Sequence, residues 1–216
     1  MIEVIRRLII SLIILLVVSL VFVPSASAWH VVTHITISEK IYYAMPLNVQ
    51  YNLNLSEMEM GAAAPDKIFK DSKYGNHKYP KSYKLAESWL KNGKTAYQEG
   101  NYNYASYCFG VASHYISDSY VVTHCANISK SDHRDYEKRS KEMKPSAIWY
   151  REDQFEEINF SVTGHNESLK SKLAEAYKTG ETRWDMWIEK RSMALVQLDL
   201  DTATTIAYNA IRKCVY

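Results

Sequence analysis

Residues that form tight turns are scarce in this sequence. The 216 residues include 7 glycines and 5 prolines, too few for the frequent turns of a β-sandwich or a β-barrel. No long stretch alternates apolar and polar residues with the period of two that half-buried strands show. These absences argue against a turn-rich β protein and favour a helical chain.

Cysteine and net charge are also low. Three cysteines are too few for a disulfide scaffold, and their odd number allows at most one intrachain disulfide among Cys108, Cys125 and Cys214. A net charge of +2 with 47% hydrophobic residues excludes an intrinsically disordered chain. The same low charge argues against a protein that binds nucleic acid through bulk positive charge.

The longest hydrophobic run lies at the N-terminus. A pair of arginines precedes an apolar run over residues 8–23, and an Ala-x-Ala sequence ends at Ala28. This order is that of a secretory signal peptide, so we predict that residues 1–28 are removed and that the protein is secreted or extracytoplasmic. The alternative is an uncleaved membrane anchor, although the run is shorter than the roughly 20 residues that span a bilayer. The remaining domain, residues 29–216, is nearly neutral because the segment takes two arginines and one glutamate with it.

Apolar residues recur at helical spacing through most of this domain. The pattern predicts helices over residues 33–45, 56–64, 82–99, 102–122, 132–143, 148–158, 167–178 and 182–213. Residues 65–80, 123–131 and 159–165 are predicted to be loops or connections. We therefore expect an all-α fold, a single-domain multi-helix bundle.

Some side chains carry specific structural expectations within these helices. Ser56 and Asn166 are predicted N-caps, because their short polar side chains can accept a hydrogen bond from the first helical turn. Trp184 and Trp187 lie one turn apart and are predicted to anchor the core. A surface that faces a membrane or a partner is the alternative for these two tryptophans.

Histidines and carboxylates are paired at helical spacing in the middle of the chain. His114 and Asp118 lie four residues apart, as do His133 and Glu137, and His124 follows shortly after the first pair. Facing pairs of this kind build metal sites in helical bundles, and zinc accepts both imidazole nitrogen and carboxylate oxygen. A single pair is more often a surface ion pair or a satisfied core group. Spacing alone leaves both interpretations open.

Motifs on both sides of these pairs extend the pattern. The chain after the predicted cleavage site begins Trp29-His-Val-Val-Thr-His34, and the later motifs are Gly61-Ala-Ala-Ala-Pro65-Asp66, His77, His114-Tyr-Ile-Ser-Asp118 and His124-Cys-Ala-Asn127. In these motifs the chain resembles the zinc-dependent phospholipase C family, which includes the fungal single-strand nucleases. The resemblance covers about residues 29–140.

The resemblance implies a trinuclear zinc site with three groups of ligands. One zinc would be held by Asp66, His77, His114 and Asp118, a second by His124, His133 and Glu137, and a third by the amine and carbonyl of Trp29 with His34 and bridging Asp118. Asp66 is expected to be the general base for a zinc-activated water that attacks a phosphodiester in line. The carboxylates would offset the charge of the dications, and neutral imidazoles would complete the coordination.

Two features depart from the family pattern without removing a ligand. Ser117 stands where the family often has glycine, and Val121 and Val122 stand where it often has Gln-Pro. These changes concern the path of the chain between Asp118 and His124, and through it the shape of the substrate site.

The substrate class is open at this point. Glu137 is similar to the phospholipase branch of the family, whereas the short gap between Trp29 and His34 is more like the nuclease branch. The nearly neutral charge favours a phospholipid, with contact to a membrane surface, over a polynucleotide. A single-strand nuclease or nucleotidase is the alternative, and its bases would stack on aromatic residues, for which the candidates are Tyr74, Tyr79, Trp149 and Tyr150. A non-catalytic, zinc-stabilised helical domain is the third hypothesis, and a closed coordination sphere would distinguish it.

Overall fold

The computed structural model describes residues 31–71, 75–141, 143–148 and 168–216. The α-helices in these ranges are α1 (Val31–Ala44), α2 (Leu47–Gln50), α3 (Leu55–Ala64), α4 (Lys81–Gln98), α5 (Tyr102–Tyr120), α6 (Val122–Cys125), α7 (Lys130–Ser140), α8 (Leu169–Lys178), α9 (Gly180–Lys190) and α10 (Met193–Val215). A π-helix, Pro65–Phe69, continues directly from α3. The described part of the chain contains no β-strand, so the predicted all-α fold is confirmed.

Helix α5 lies at the centre of the bundle. Most of its residues are buried, as expected of a helix that packs on several sides, and it contacts α3, α4 and α10. Two glycines allow α3 and α5 to pack closely. A Cβ atom at Gly61 would lie 2.1 Å from the carbonyl oxygen of Tyr107, and one at Gly110 would lie 2.0 Å from that of Met58. This close contact brings the side chains of α5 within reach of the α3 backbone.

Several helices begin at residues other than the predicted ones. Asn54, not Ser56, caps α3, and its side chain accepts a hydrogen bond from the amide of Glu57. Helix α7 is capped by Ser129 and α8 by Ser168. In each case a polar residue earlier or later than expected has the extended backbone that a cap requires. The predicted cap Asn166, residues 149–158 of a predicted helix and the predicted loop 159–165 lie outside the described residues.

Other differences concern which segments of the chain are continuous helices. The helix predicted over 182–213 is two helices, because Arg191 adopts a left-handed backbone conformation (φ 46°) that ends α9. The Arg191 guanidinium donates a hydrogen bond to Asp135 of α7 at 2.9 Å, a contact that fixes the break. The predicted loop 65–80 begins with the π-helix, and the predicted connection 123–131 contains most of α6 and the start of α7.

The structure shows the environments of the predicted core tryptophans and of the three cysteines. Trp184 and Trp187 are 7% and 1% exposed and stack with ring centroids 5.0 Å apart, so they are core residues as predicted. Cys108, Cys125 and Cys214 are free thiols, and the one disulfide that composition allows is not formed. In the described ranges, no helix combines the length and the apolar character that crossing a bilayer requires.

Candidate metal centre

Four separate elements bring their side chains together near the C-terminal end of α5. This helix carries His114 and Asp118, both completely buried. His34 comes from the first turns of α1, His77 from the segment before α4, and Asp66 from the π-helix. Short π-helical segments occur frequently at functional sites, and here the segment holds a carboxylate next to two histidines.

The carboxylate of Asp118 lies between three histidines. Its Oδ1 atom is 3.4 Å from Nε2 of His34, whereas Oδ2 is 2.5 Å from Nδ1 of His77 and 3.1 Å from Nε2 of His114. The rings of His34 and His114 stack with centroids 3.7 Å apart. The two oxygens of this buried carboxylate therefore face different histidines.

In His34 and His114, the hydrogen bond made by Nδ1 determines whether Nε2 carries a lone pair. Nδ1 of His114 donates to the carbonyl oxygen of Ala62 at 2.8 Å. The Ser117 hydroxyl donates to the carbonyl of His114, so it can only accept the hydrogen bond from Nδ1 of His34, at 3.1 Å. Both histidines therefore direct an unprotonated Nε2 atom towards Asp118. Such an arrangement suits a cation between nitrogen and oxygen.

Buried polar atoms without hydrogen-bond partners support the same interpretation. Nε2 of His34 and Oδ1 of Asp118 are among them, as are Nδ1 of His124, Nε2 of His133 and Oε1 of Glu137. Leaving a buried polar atom unpaired costs about 1–3 kcal/mol. Since five of the nine such atoms in the described residues belong to predicted zinc ligands, the residues present fit the metal.

Burial and charge adjust the protonation of these groups. Burial lowers the pKa of His34, and it lowers that of His124 to about 3, so both imidazoles are neutral and can donate a lone pair. Burial acts to raise the pKa of Asp118, but its interactions with the ring nitrogens of His34 and His114 outweigh burial and hold the pKa well below its usual range. Burial also acts against protonation of His77, but hydrogen bonds to Asp118 and Asp71 raise its pKa to about 9.

The predicted second group lies on α6 and α7. Nε2 of His133 is 3.1 Å from Oε1 of Glu137, and the ring centroids of His124 and His133 are 5.9 Å apart. The ring of His124 is also 6.2 Å from that of His77. His133 and Glu137 are the more exposed part of the site, with side chains 14% and 19% accessible.

In the described part of the chain, two compact clusters have ligand atoms that lie within 4.8 Å of one another. They are His34, His114 and Asp118, and Asp66, His77 and His114. The first contains residues of the predicted third group, and the second contains most of the predicted first group. His124, His133 and Glu137 form a looser group beside them, and Trp29 lies outside the described residues.

A hydrogen bond from helix α9 holds the turn between Asp118 and His124. Helix α5 ends at Tyr120 and α6 begins at Val122, and both valines that depart from the family pattern are buried. The buried Arg183 donates to the carbonyl oxygen of Tyr120 at 2.9 Å and pairs with Asp199 at 2.9 Å. This network connects α9 and α10 to the end of α5 and so fixes where His124 enters the site.

Comparison with known proteins identifies the family of this chain. The family model described as zinc-dependent phospholipase C matches residues 33–194. The chain belongs to this family. No curated protein matches it. Membership in the family implies an enzyme, a phosphodiester hydrolase, and the His/Asp clusters are compatible with Zn²⁺. Eight of the nine predicted ligands lie inside the matched span, and Trp29 precedes it.

One residue at the site, Asp71, was not predicted from the sequence. Asp71 accepts hydrogen bonds from Nε2 of His77 and from the hydroxyl of Tyr115. It belongs to no helical repeat and to none of the motifs that resemble the family. Its only sequence signal is an acidic residue close before His77, which by itself is uninformative.

The aromatic candidates for base stacking receive little support. Tyr79 is partly buried, and its ring lies 6.5 Å from that of Tyr83 and 5.7 Å from that of Tyr177. It therefore packs with other tyrosines. Tyr74, Trp149 and Tyr150 lie outside the described residues.

Proposed function

We propose that this protein is a secreted phospholipase C that hydrolyses glycerophospholipids with three zinc ions. The observation that carries the proposal is the bridging position of Asp118, whose oxygens face His34 on one side and His77 and His114 on the other. The ligand groups are those of the sequence prediction. Asp66, His77, His114 and Asp118 would hold one ion, His124, His133 and Glu137 a second, and Trp29, His34 and Asp118 a third.

The chain contributes positioning and proton transfer. When bound, zinc supplies a Lewis acid that acidifies water and neutralises phosphate oxygens. The Asp66 carboxylate would accept the proton of the attacking water, and its position in the π-helix is beside His77 and His114. Asp118, His34 and His114 are completely buried and His77 is nearly so, which keeps bulk water away from these ligands.

A groove lined by Lys67 and Ile68, the two residues that follow Asp66 in the π-helix, favours a lipid substrate. Met60, Ile68 and Tyr104 line it together with alanines of α3. These three side chains are 49%, 66% and 45% exposed, and the groove also contains Lys67 and Glu57, which have opposite charges. Exposed apolar side chains of this kind suit acyl chains or the surface of a lipid aggregate better than a polynucleotide.

The substrate is tested with the mature, zinc-loaded protein, phosphatidylcholine vesicles and single-stranded DNA. We expect release of phosphocholine and diacylglycerol, with no cleavage of the DNA. Cleavage of DNA without lipid hydrolysis would replace this proposal with the nuclease alternative. Absence of turnover on both substrates, with zinc bound, would favour the non-catalytic domain.

An exposed apolar side chain in the groove gives a sharper test. Ile68→Glu should lower hydrolysis of vesicles about fivefold, since losing contact for half a buried isoleucine costs about 1 kcal/mol. Hydrolysis of a soluble short-chain phosphodiester should not change. Leu47→Glu is the matched control, because Leu47 is 68% exposed but lies on α2, away from the groove. Equal losses in both variants, or a loss on the soluble substrate, would contradict contact with lipid at Ile68.

Processing of the N-terminus is part of the proposal. The free amine of Trp29 would be a zinc ligand, whereas an uncleaved bond after Ala28 leaves an amide, which is a poor ligand. A protein with one extra residue before Trp29 is expected to bind two zinc ions where the mature protein binds three, and to lose most of its activity. Zinc per chain is measured by elemental analysis, with a C-terminal extension after Tyr216 as control. Three zinc ions and full activity in the N-terminally extended protein would contradict this role.

A further inference from the structure

Asp71 lies behind the candidate metal centre and is not one of its predicted ligands. It is 9% exposed and follows the π-helix, after a left-handed residue at Lys70. Its Oδ1 atom accepts a hydrogen bond from Nε2 of His77 at 2.8 Å. Its Oδ2 atom accepts from the Tyr115 hydroxyl at 2.7 Å and from the amide of Asn76 at 3.0 Å. The carboxylate is thus held by three donors.

The two nitrogens of His77 have different environments. Nδ1 points into the cluster, 2.5 Å from Oδ2 of Asp118 and 3.3 Å from Nε2 of His114. Nε2 points outwards to Asp71. A carboxylate on the outer nitrogen keeps a hydrogen there, so a metal that binds His77 displaces the hydrogen that the inner nitrogen shares with Asp118. It also fixes the rotation of the ring and makes the imidazole a stronger donor.

His77 depends on such a partner more than the other histidines of the centre. His34 and His114 lie on α1 and α5, whose backbones are fixed by helical hydrogen bonds. His77 lies in the turn segment before α4. Tyr115 connects this segment to the centre, because it lies on α5 beside His114 and reaches Asp71 with its hydroxyl.

We propose that Asp71 is a positioning residue that holds His77, through its outer nitrogen, in the orientation that binds zinc, with Tyr115 and Asn76 fixing the carboxylate. This inference rests on the zinc role proposed above for His77. It assigns to Asp71 an effect on metal affinity, not contact with the metal or the substrate.

The test measures zinc affinity of the full mature protein by competition with a chromophoric chelator. Asp71→Asn keeps the size of the side chain but replaces the carboxylate, and one zinc is expected to bind about 10–100-fold more weakly. Tyr115→Phe removes one of the three donors to Asp71 and should weaken the same zinc by a smaller factor. In cobalt-substituted protein, the visible absorption should shift in Asp71→Asn, because the imidazole becomes a weaker donor.

A matched control separates positioning from a general loss of stability. Asp201 is another buried carboxylate, 5% exposed, that accepts hydrogen bonds from the amide and hydroxyl of Ser146. Asp201→Asn should lower the melting temperature without changing zinc affinity or the cobalt spectrum. Unchanged zinc affinity in Asp71→Asn, or an equal loss in Asp201→Asn, would overturn the inference.

The outcomes also distinguish this inference from the proposed function. Weaker zinc binding in Asp71→Asn, in a protein that does not hydrolyse phosphatidylcholine, would contradict only the phospholipase assignment. Hydrolysis by the wild type together with unchanged zinc affinity in Asp71→Asn would contradict only the role of Asp71.

Discussion

Replacing Asp118 with asparagine is expected to remove zinc from two of the three ligand groups and to lower phosphodiester hydrolysis by about a thousandfold or more. Each oxygen of this carboxylate faces a different set of histidines, so one substitution affects both groups. Losing the charge stabilisation that bound metal gives to the transition state costs several kcal/mol, and about 4 kcal/mol corresponds to a thousandfold loss of rate.

Zinc content per chain and the thermal shift on adding zinc measure this effect. Zinc raises the melting temperature of a protein that binds it only when folded, so the shift should be much smaller in Asp118→Asn than in the wild type. Asp185→Asn is the control, because Asp185 is an exposed carboxylate on α9. Full zinc content in Asp118→Asn would contradict the bridging role.

Replacing Asp66 with asparagine is expected to lower kcat about 10²–10⁴-fold, the range for loss of a general base. Zinc content should be nearly maintained, because His77, His114 and Asp118 still surround the same position. The effect should be in kcat more than in KM, since the proton is transferred in the transition state.

Comparison with a ligand variant makes the Asp66 prediction specific. His77→Ala should lose zinc and activity together, whereas Asp66→Asn should lose activity with zinc retained. Steady-state kinetics and elemental analysis on the same samples distinguish the two patterns. Parallel loss of zinc and activity in both variants would show that Asp66 acts only as a ligand.

Much of the fold could be predicted from the periodicity of apolar residues. The long helices α1, α4 and α5 lie close to the predicted ranges, because their buried faces repeat at helical spacing. The end of α9 could not be predicted in this way. The apolar repeat continues beyond Arg191, and the break is the left-handed backbone of that residue, which apolar spacing does not indicate.

The candidate site was predictable to the level of residue type and order. The sequence motifs contain the five residues that the structure brings together, which are His34, Asp66, His77, His114 and Asp118. Asp71 was missed because its role comes from contacts with His77 and Tyr115, and nothing near it in the sequence indicates them.

The sequence by itself determined the helical class, the pairing of histidines with carboxylates, and the ligand types that zinc prefers. Those properties depend on local spacing and on the chemistry of single side chains. Only the tertiary structure decided which nitrogen of each histidine faces the centre. That orientation comes from partners distant in the chain, 83 residues away for His34 and Ser117 and 52 for His114 and Ala62. Because such hydrogen bonds form only when the helices pack, no local pattern contains them.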